Sequence, residues 1–273
     1  RGRDLPAGMQ VVDAGTGPAD AAFGVTGWQE VAPPLTAGSN TVIPALAIDG
    51  AGKAVVAFLA GGGSDEISIE VQRAVAGTWA RVGDLQLTND YVTLPALATA
   101  PGGELWLTWP YGDRYQVRHW DGAAWSTPPG TPLGQYTTFL PHTSVVVGPD
   151  GEPWVAFDEH IAPSTNEQVY VRSRPAAGAW TERGSTLGQP NALAPYLAAR
   201  GDDVCLTYQA SGVYAMCWNG SSFVQVGGAI APMGVSSPST SSIALDAGGA
   251  PVVAFHAYKD NTDGVIGFVA RVR

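Results

Sequence analysis

Five diverged copies of one segment fill nearly the whole chain, and this repetition restricts the fold more than any other feature. The best-formed copy runs from Pro141 to Trp180. It holds a run of small and β-branched residues (143–147), a Gly/Asp turn (GPDG) and an alternating apolar run ending in an aromatic (153–157). A variable loop leads to a second alternating run (VYVRSR), a second turn (PAAG) and a Trp. Short alternating runs between Gly-rich turns predict strands, so each copy should form one four-stranded antiparallel sheet.

The other copies fall into the same register. Their anchor aromatics are Trp28, Trp79, Trp125, Trp180 and Phe223, separated by 51, 46, 55 and 43 residues. The strand after the first turn reads AVVAF (54–58), LWLTW (105–109), PWVAF (153–157), VCLTY (204–208) and PVVAF (251–255). Arg73, Arg174 and Arg271 recur on the third strand, where a structural ion pair or a capped carbonyl is the expected use of a buried guanidinium. Trp106, Trp154 and Cys205 share one position and are expected to pack between sheets.

Four strands per repeat of this length are the mark of propeller blades. Residues 1–26 do not fit the pattern and read as a linker or tail; residues 27–273 read as one domain. The Trp28 strand stands alone at the start, while the last copy stops at Arg273 without a Trp strand. Joining the two would remove both exposed sheet edges. The expected fold class is therefore all-β, a five-bladed β-propeller with four-stranded antiparallel blades, its ring closed by the N-terminal Trp28 strand. On these residues the chain resembles five-bladed propellers of the tachylectin type. Turns such as GPDGEPW are similar to sialidase Asp boxes, although they lack the full Ser-x-Asp-x-Gly-x-Thr-Trp pattern.

Charge removes several partners. A formal net charge of −10 with only two lysines, Lys53 and Lys259, argues against nucleic acid, whose phosphates are held by Lys and Arg. No apolar run approaches the roughly 20 residues of a membrane span. The cysteines, Cys205 and Cys217, lie on consecutive predicted strands, where they either form a cross-strand bridge or remain two buried thiols; a bridge would suit export. Secretion or display at the cell surface is the expected localisation.

The connections divide into two sets. Those joining first to second and third to fourth strands are short and uniform; those joining second to third strands and successive blades are long and varied. Binding residues concentrate on loops carried by a rigid scaffold, so the varied set marks one working face. Its candidate ligand-binding residues are Asp90, Tyr91, Tyr111, Asp113, Tyr136, Asp158, Glu159, His160, Asn191, His256, Tyr258 and Asp260. Tyrosines among amides and carboxylates suit a glycan, and suit a protein surface as well. A tachylectin-like lectin would repeat its site in every blade, whereas these loops differ, so one asymmetric site is expected.

The main expectation is a lectin-like glycan-recognition protein without catalysis. The alternatives are a protein-binding scaffold and a five-bladed glycan hydrolase. Hydrolysis needs two carboxylates across a sugar bond, yet the predicted inner strands (VIPALAI, TLPALAT, FLPHTSV, LAPYLAA, SSPSTSSIAL) contain no Asp, Glu or Arg, so its acids would come from loops. His142, His160 and His256 show no metal-ligand spacing, and 260–264 (DNTDG) lacks the acid pattern of a calcium loop. No metal or cofactor is expected.

Overall fold

The structure, a computed structural model, describes residues 9–11, 32–33, 35, 44–60, 67–84, 86–88, 94–135, 141–148, 150–160, 166–175, 178–184, 190–230, 235–259 and 265–272. Every regular element among them is a strand, and no helix is long and apolar enough to cross a membrane. Strand β1 (Met9–Val11) precedes five antiparallel sheets. The first contains β2 (Ala45–Ile48), β3 (Ala54–Ala60), β4 (Ile67–Val75) and β5 (Thr78–Arg81), with β6 (Gln86–Thr88) returning to pair with β4. The second contains β7 (Ala96–Thr99), β8 (Leu105–Tyr111), β9 (Arg114–Trp120) and β10 (Trp125–Ser126). The third contains β11 (Thr143–Val147), β12 (Pro153–His160), β13 (Glu167–Ser173) and β14 (Thr181–Gly184). The fourth contains β15 (Leu193–Arg200), β16 (Asp203–Gln209), β17 (Val213–Trp218) and β18 (Phe223–Gln225). The last contains β19 (Val235–Leu245), β20 (Pro251–Lys259) and β21 (Val265–Val272), with β1 beside β21.

This is a five-bladed β-propeller. The inner strands β2, β7, β11, β15 and β19 are neighbours in chain order. The second strand of each blade is apolar at almost every position because it is buried on both faces. Alternation then sends its side chains to two different seams. Val55, Ala57 and Leu59 of blade 1 meet Leu105, Leu107 and Trp109 of blade 2. Trp106 of blade 2 joins the next core with Val155 and Phe157. Trp154 and Ala156 face blade 4, with Leu206 and Tyr208, and Val213 and Ala215 face Val253 and Phe255 of blade 5.

Two of the outer-strand tryptophans reach back to residues earlier in the chain than their own blade. The indole N–H of Trp125 donates to the Val82 carbonyl at 2.8 Å, and that of Trp79 to the Pro33 carbonyl at 2.8 Å. Gly83 leaves the space these rings need: a Cβ there would stand 2.6 Å from both Trp120 and Trp125. Arg73 makes the structural ion pair expected of it, with Asp49 at 3.2 Å, and reaches the Gly103 carbonyl of blade 2. Arg174 differs, because Trp154 is opposite Ser173 where Val55 is opposite Arg73, which leaves Arg174 one residue beyond the shared position. Cys205 and Cys217 are directly opposed across β16 and β17 and form a disulfide.

Two features depart from the sequence expectation. The strand beside β21 is Met9–Val11, with Met9 opposite Val272; Trp28, expected in that place, lies outside the described residues. The outer strand also breaks and then resumes pairing with the third strand. In blade 1 the resumed piece is β6; in blades 2 and 4 it is the buried Leu133, opposite Tyr115, and Ile230, opposite Val213. In blade 3 the Ala192 N–H donates to the Glu167 carbonyl at 3.0 Å. Part of each expected inter-blade loop is thus tied to its own sheet, and this brings the entry to β15 against the end of β12.

Candidate active site

Strand β12 does not stop at its aromatic. It continues through Asp158, Glu159 and His160, because β13 starts early enough to pair with them: Asp158 with Val169, Glu159 with Gln168 and His160 with Glu167. Opposed residues share a face of the sheet and successive residues alternate. Asp158, His160 and Glu167 therefore lie on the side of blade 3 that faces blade 4, and Glu159 on the side that faces blade 2.

Asp158 is 0% exposed and makes contacts to three blades. Its Oδ1 accepts the Tyr115 hydroxyl of β9 at 2.7 Å and the backbone N–H of His142, just before β11, at 3.0 Å. Its Oδ2 accepts the N–H of Ala194 on β15 at 3.0 Å, and His142 Nδ1 lies 3.7 Å away. Ala194 can donate inward because its backbone takes the left-handed conformation, φ 51°. A buried carboxylate is tolerated when directed donors replace its hydration, and here the donors come from blades 2, 3 and 4. Glu159 is 6% exposed, and its carboxylate accepts the N–H of Gln135 from blade 2.

Charge at this place perturbs its neighbours. Glu167, half-buried, has its carboxyl pKa raised above the usual carboxylate range, first by burial and then by the Asp158 charge, with His160 and His142 pulling the other way. The Tyr115 hydroxyl is held well above the ordinary tyrosine value by burial, by the Asp158 charge and by its bond to Asp158. Tyr196 on β15 is raised by burial and by Asp158. A carboxyl of raised proton affinity thus shares the blade 4 side of blade 3 with Asp158, at the long-loop end of the seam between blades 3 and 4.

The residues expected as ligands are distributed unevenly over this arrangement. Asp158, Glu159 and His160 are brought together, but on a strand, and the two acids are buried and bonded instead of exposed on a loop. Tyr111 is partly buried against the core between blades 1 and 2, while Asp113 is exposed in the β8–β9 turn. Asn191 is exposed at φ 62°, a conformation Asn tolerates, so the turn into β15 accounts for it. His256 is half-buried on β20, away from blade 3 in the sheet order, opposite Gly267 and Ser239. Tyr258 is described only as a paired strand residue, opposite Val265. Asp90, Tyr91, Tyr136 and Asp260 lie outside the described residues. Sequence reasoning passed over Tyr115, Glu167 and Tyr196. For Glu167 a signal existed, since it stands at the start of the third strand, where cross-strand pairing with His160 follows from the hairpin register. Among the described residues, no three His, Cys, Asp or Glu side chains group as a metal-ion cage.

No family model and no curated protein matches the chain. Solved structures share the fold. One is a triple Arg-to-Ala mutant of AofleA from Arthrobotrys oligospora, 16% identical, covering 83% of this chain and 67% of that one, TM-score 0.56. Another is an α-L-arabinanase of Penicillium chrysogenum complexed with arabinobiose, 12% identical, covering 82% and 79%, TM-score 0.56. A third is the Trypanosoma rangeli sialidase with 2,3-difluorosialic acid as a covalent intermediate, 12% identical, TM-score 0.51; it covers 80% of this chain, which spans only 43% of the sialidase. The expectation of a lectin-like face is corrected by these findings. The activities named among these structures are glycan cleavage, and two of the supposed exposed ligands, Asp158 and Glu159, are buried.

Proposed function

We propose that the chain is a glycoside hydrolase whose acid chemistry sits at the seam of blades 3 and 4. The observation that carries this reading is Glu167, a carboxyl at the start of β13 whose pKa is raised, first by burial and then by the Asp158 charge. Cleavage of a glycosidic bond requires a carboxylic acid that is still protonated near neutral pH and can give its proton to the leaving oxygen. Burial and a neighbouring like charge move Glu167 in that direction. Asp158, with its oxygens occupied by Tyr115, His142 and Ala194, is a positioning residue that acts through Glu167. The reaction needs a second carboxylate as well. The fold shared with an arabinanase and a sialidase supports the same class of reaction. The disulfide supports an oxidising compartment, and we propose secretion or surface display.

The test is a panel of 4-nitrophenyl glycosides assayed across pH. Glu167→Gln should lower kcat/KM by about 100-fold or more, the usual contribution of a general acid. The wild-type rate should fall on the alkaline side as Glu167 ionises, above the ordinary Glu value of about 4.3. Unchanged turnover in Glu167→Gln, or a wild-type protein inert on every glycoside, defeats the reading.

A further inference from the structure

Resting on that reading for its catalytic consequence, we infer that His142 is a positioning residue of the acid site: as an imidazolium it is the counter-ion of Asp158 and sets the pH at which Glu167 is spent as an acid. Thr143 is opposite Phe157, so the next pair along β11 and β12 is His142 with Asp158. Two contacts hold that pair: the His142 N–H donates to Asp158 Oδ1 at 3.0 Å, and the Asp158 N–H donates to the His142 carbonyl at 3.4 Å. The His142 Nδ1 then stands 3.7 Å from Oδ2, on a side chain 20% exposed where that of Asp158 is 0% exposed.

Opposed residues share a face, so His142 and Asp158 form one row on the blade 4 side of blade 3, and His160 and Glu167 form the next. Each carboxyl has an imidazole across the sheet from it. Burial and the Asp158 charge raise the proton affinity of Glu167, and both imidazoles lower it. His160 does so as the direct cross-strand neighbour. His142 does so from beside Asp158, the anion it offsets.

The other titratable groups on neighbouring elements divide between this face and other places. Tyr115 of β9 donates its hydroxyl to Asp158, and Tyr196 of β15 responds to the Asp158 charge. Glu159 is on the blade 2 side, as are Arg172, 5.6 Å above the Phe157 ring, and Glu182 opposite Arg172. Arg183 lies over Trp154 and Trp218, toward the short-turn end. Arg114, beside Tyr115, is opposite Tyr111, whose ring packs into the core between blades 1 and 2, so Arg114 belongs to the other face of blade 2. The segments 136–140, 161–165 and 185–189, which flank these strands in the sequence, contain no Asp, Glu, His, Lys or Arg.

An imidazole ordinarily titrates near about 6.5 and a glutamate near about 4.3. A carboxyl of raised proton affinity therefore ionises in a range where the imidazole beside Asp158 is still charged. Removing that charge leaves Asp158 uncompensated, and Glu167 then keeps its proton to higher pH.

The experiment follows the side-chain carboxyl carbon of Glu167 and the ring nitrogens of His142 by NMR across pH, in the wild type and in His142→Gln. The pH profile of kcat/KM is measured beside it on 4-nitrophenyl glycosides. The Glu167 midpoint, and the alkaline limb of the rate with it, should move up by about 0.5–1 pH unit in His142→Gln, the order of one charge acting across a partly buried site at intermediate dielectric. If the variant does not fold, the wild type alone decides, because at the Glu167 midpoint the His142 ring has to carry both protons. An unmoved Glu167 midpoint in the variant, or a neutral His142 ring at the wild-type midpoint, overturns the inference whatever the turnover. Full turnover in Glu167→Gln defeats the hydrolase reading and the catalytic consequence with it, while the titrations still decide the pairing of His142 with Asp158.

Discussion

At one end of the propeller, where first strands turn into second strands, Asp246 accepts the N–H groups of Gly248 and Ala250, both within four residues of itself. Asp121, in a third-to-fourth-strand turn at that same end, accepts those of Ala123 and Ala124. At the opposite end Asp158 accepts donors 16, 36 and 43 residues away, from three different blades. The residue type is the same, but the range of its contacts is not. A local acceptor closes a turn that remains solvated, and its loss exposes N–H groups that water can satisfy. A distant acceptor holds strands that have no other reason to meet, and its loss leaves buried donors without partners.

The contrast can be tested by removing each carboxylate in turn. Asp158→Ala should destabilise the protein by about 3–5 kcal/mol, because one change leaves the His142 and Ala194 N–H groups without their acceptor and weakens the hold on Tyr115; chemical denaturation measures it. A loss below about 1 kcal/mol would place Asp158 with the turn acids. Tyr115→Phe removes one of those donors and keeps the ring packed on Phe157, whose centroid lies 5.1 Å away; the expected loss is about 1.5–3 kcal/mol, the range for a hydrogen bond to a charged group. Asp246→Ala should cost least, about 0.5–1 kcal/mol, with no effect on glycoside turnover. A change in turnover there would break the division between a structural end and a chemical end.

Much of the architecture could be read from residues alone. The five-fold period, the Gly-bearing turns and the apolar second strands are local signals, and they place β3, β8, β12, β16 and β20 within a few residues of their ends. The opposed cysteines were equally readable as a possible pair, since the hairpin between β16 and β17 determines which residues face each other. The character of the site was not readable. In the string PWVAFDEH an acid after the aromatic looks like the start of a loop; that Asp158 is a strand residue depends on Tyr115 and Ala194, which arrive from other blades. Glu167 gains its raised proton affinity from the same convergence. Period and alternation are properties of a segment, whereas burial of a charge is a property of the segments that surround it. The lectin-like expectation failed where the second was inferred from the first.

One consequence follows from the pairing of β1 with β21. In a chain made from the amino end, Met9–Val11 leaves the ribosome long before the strand it lies against has been synthesised. The last blade is therefore completed late, after its neighbours have had time to form, and its early-made edge must wait without its partner while the four other blades are made.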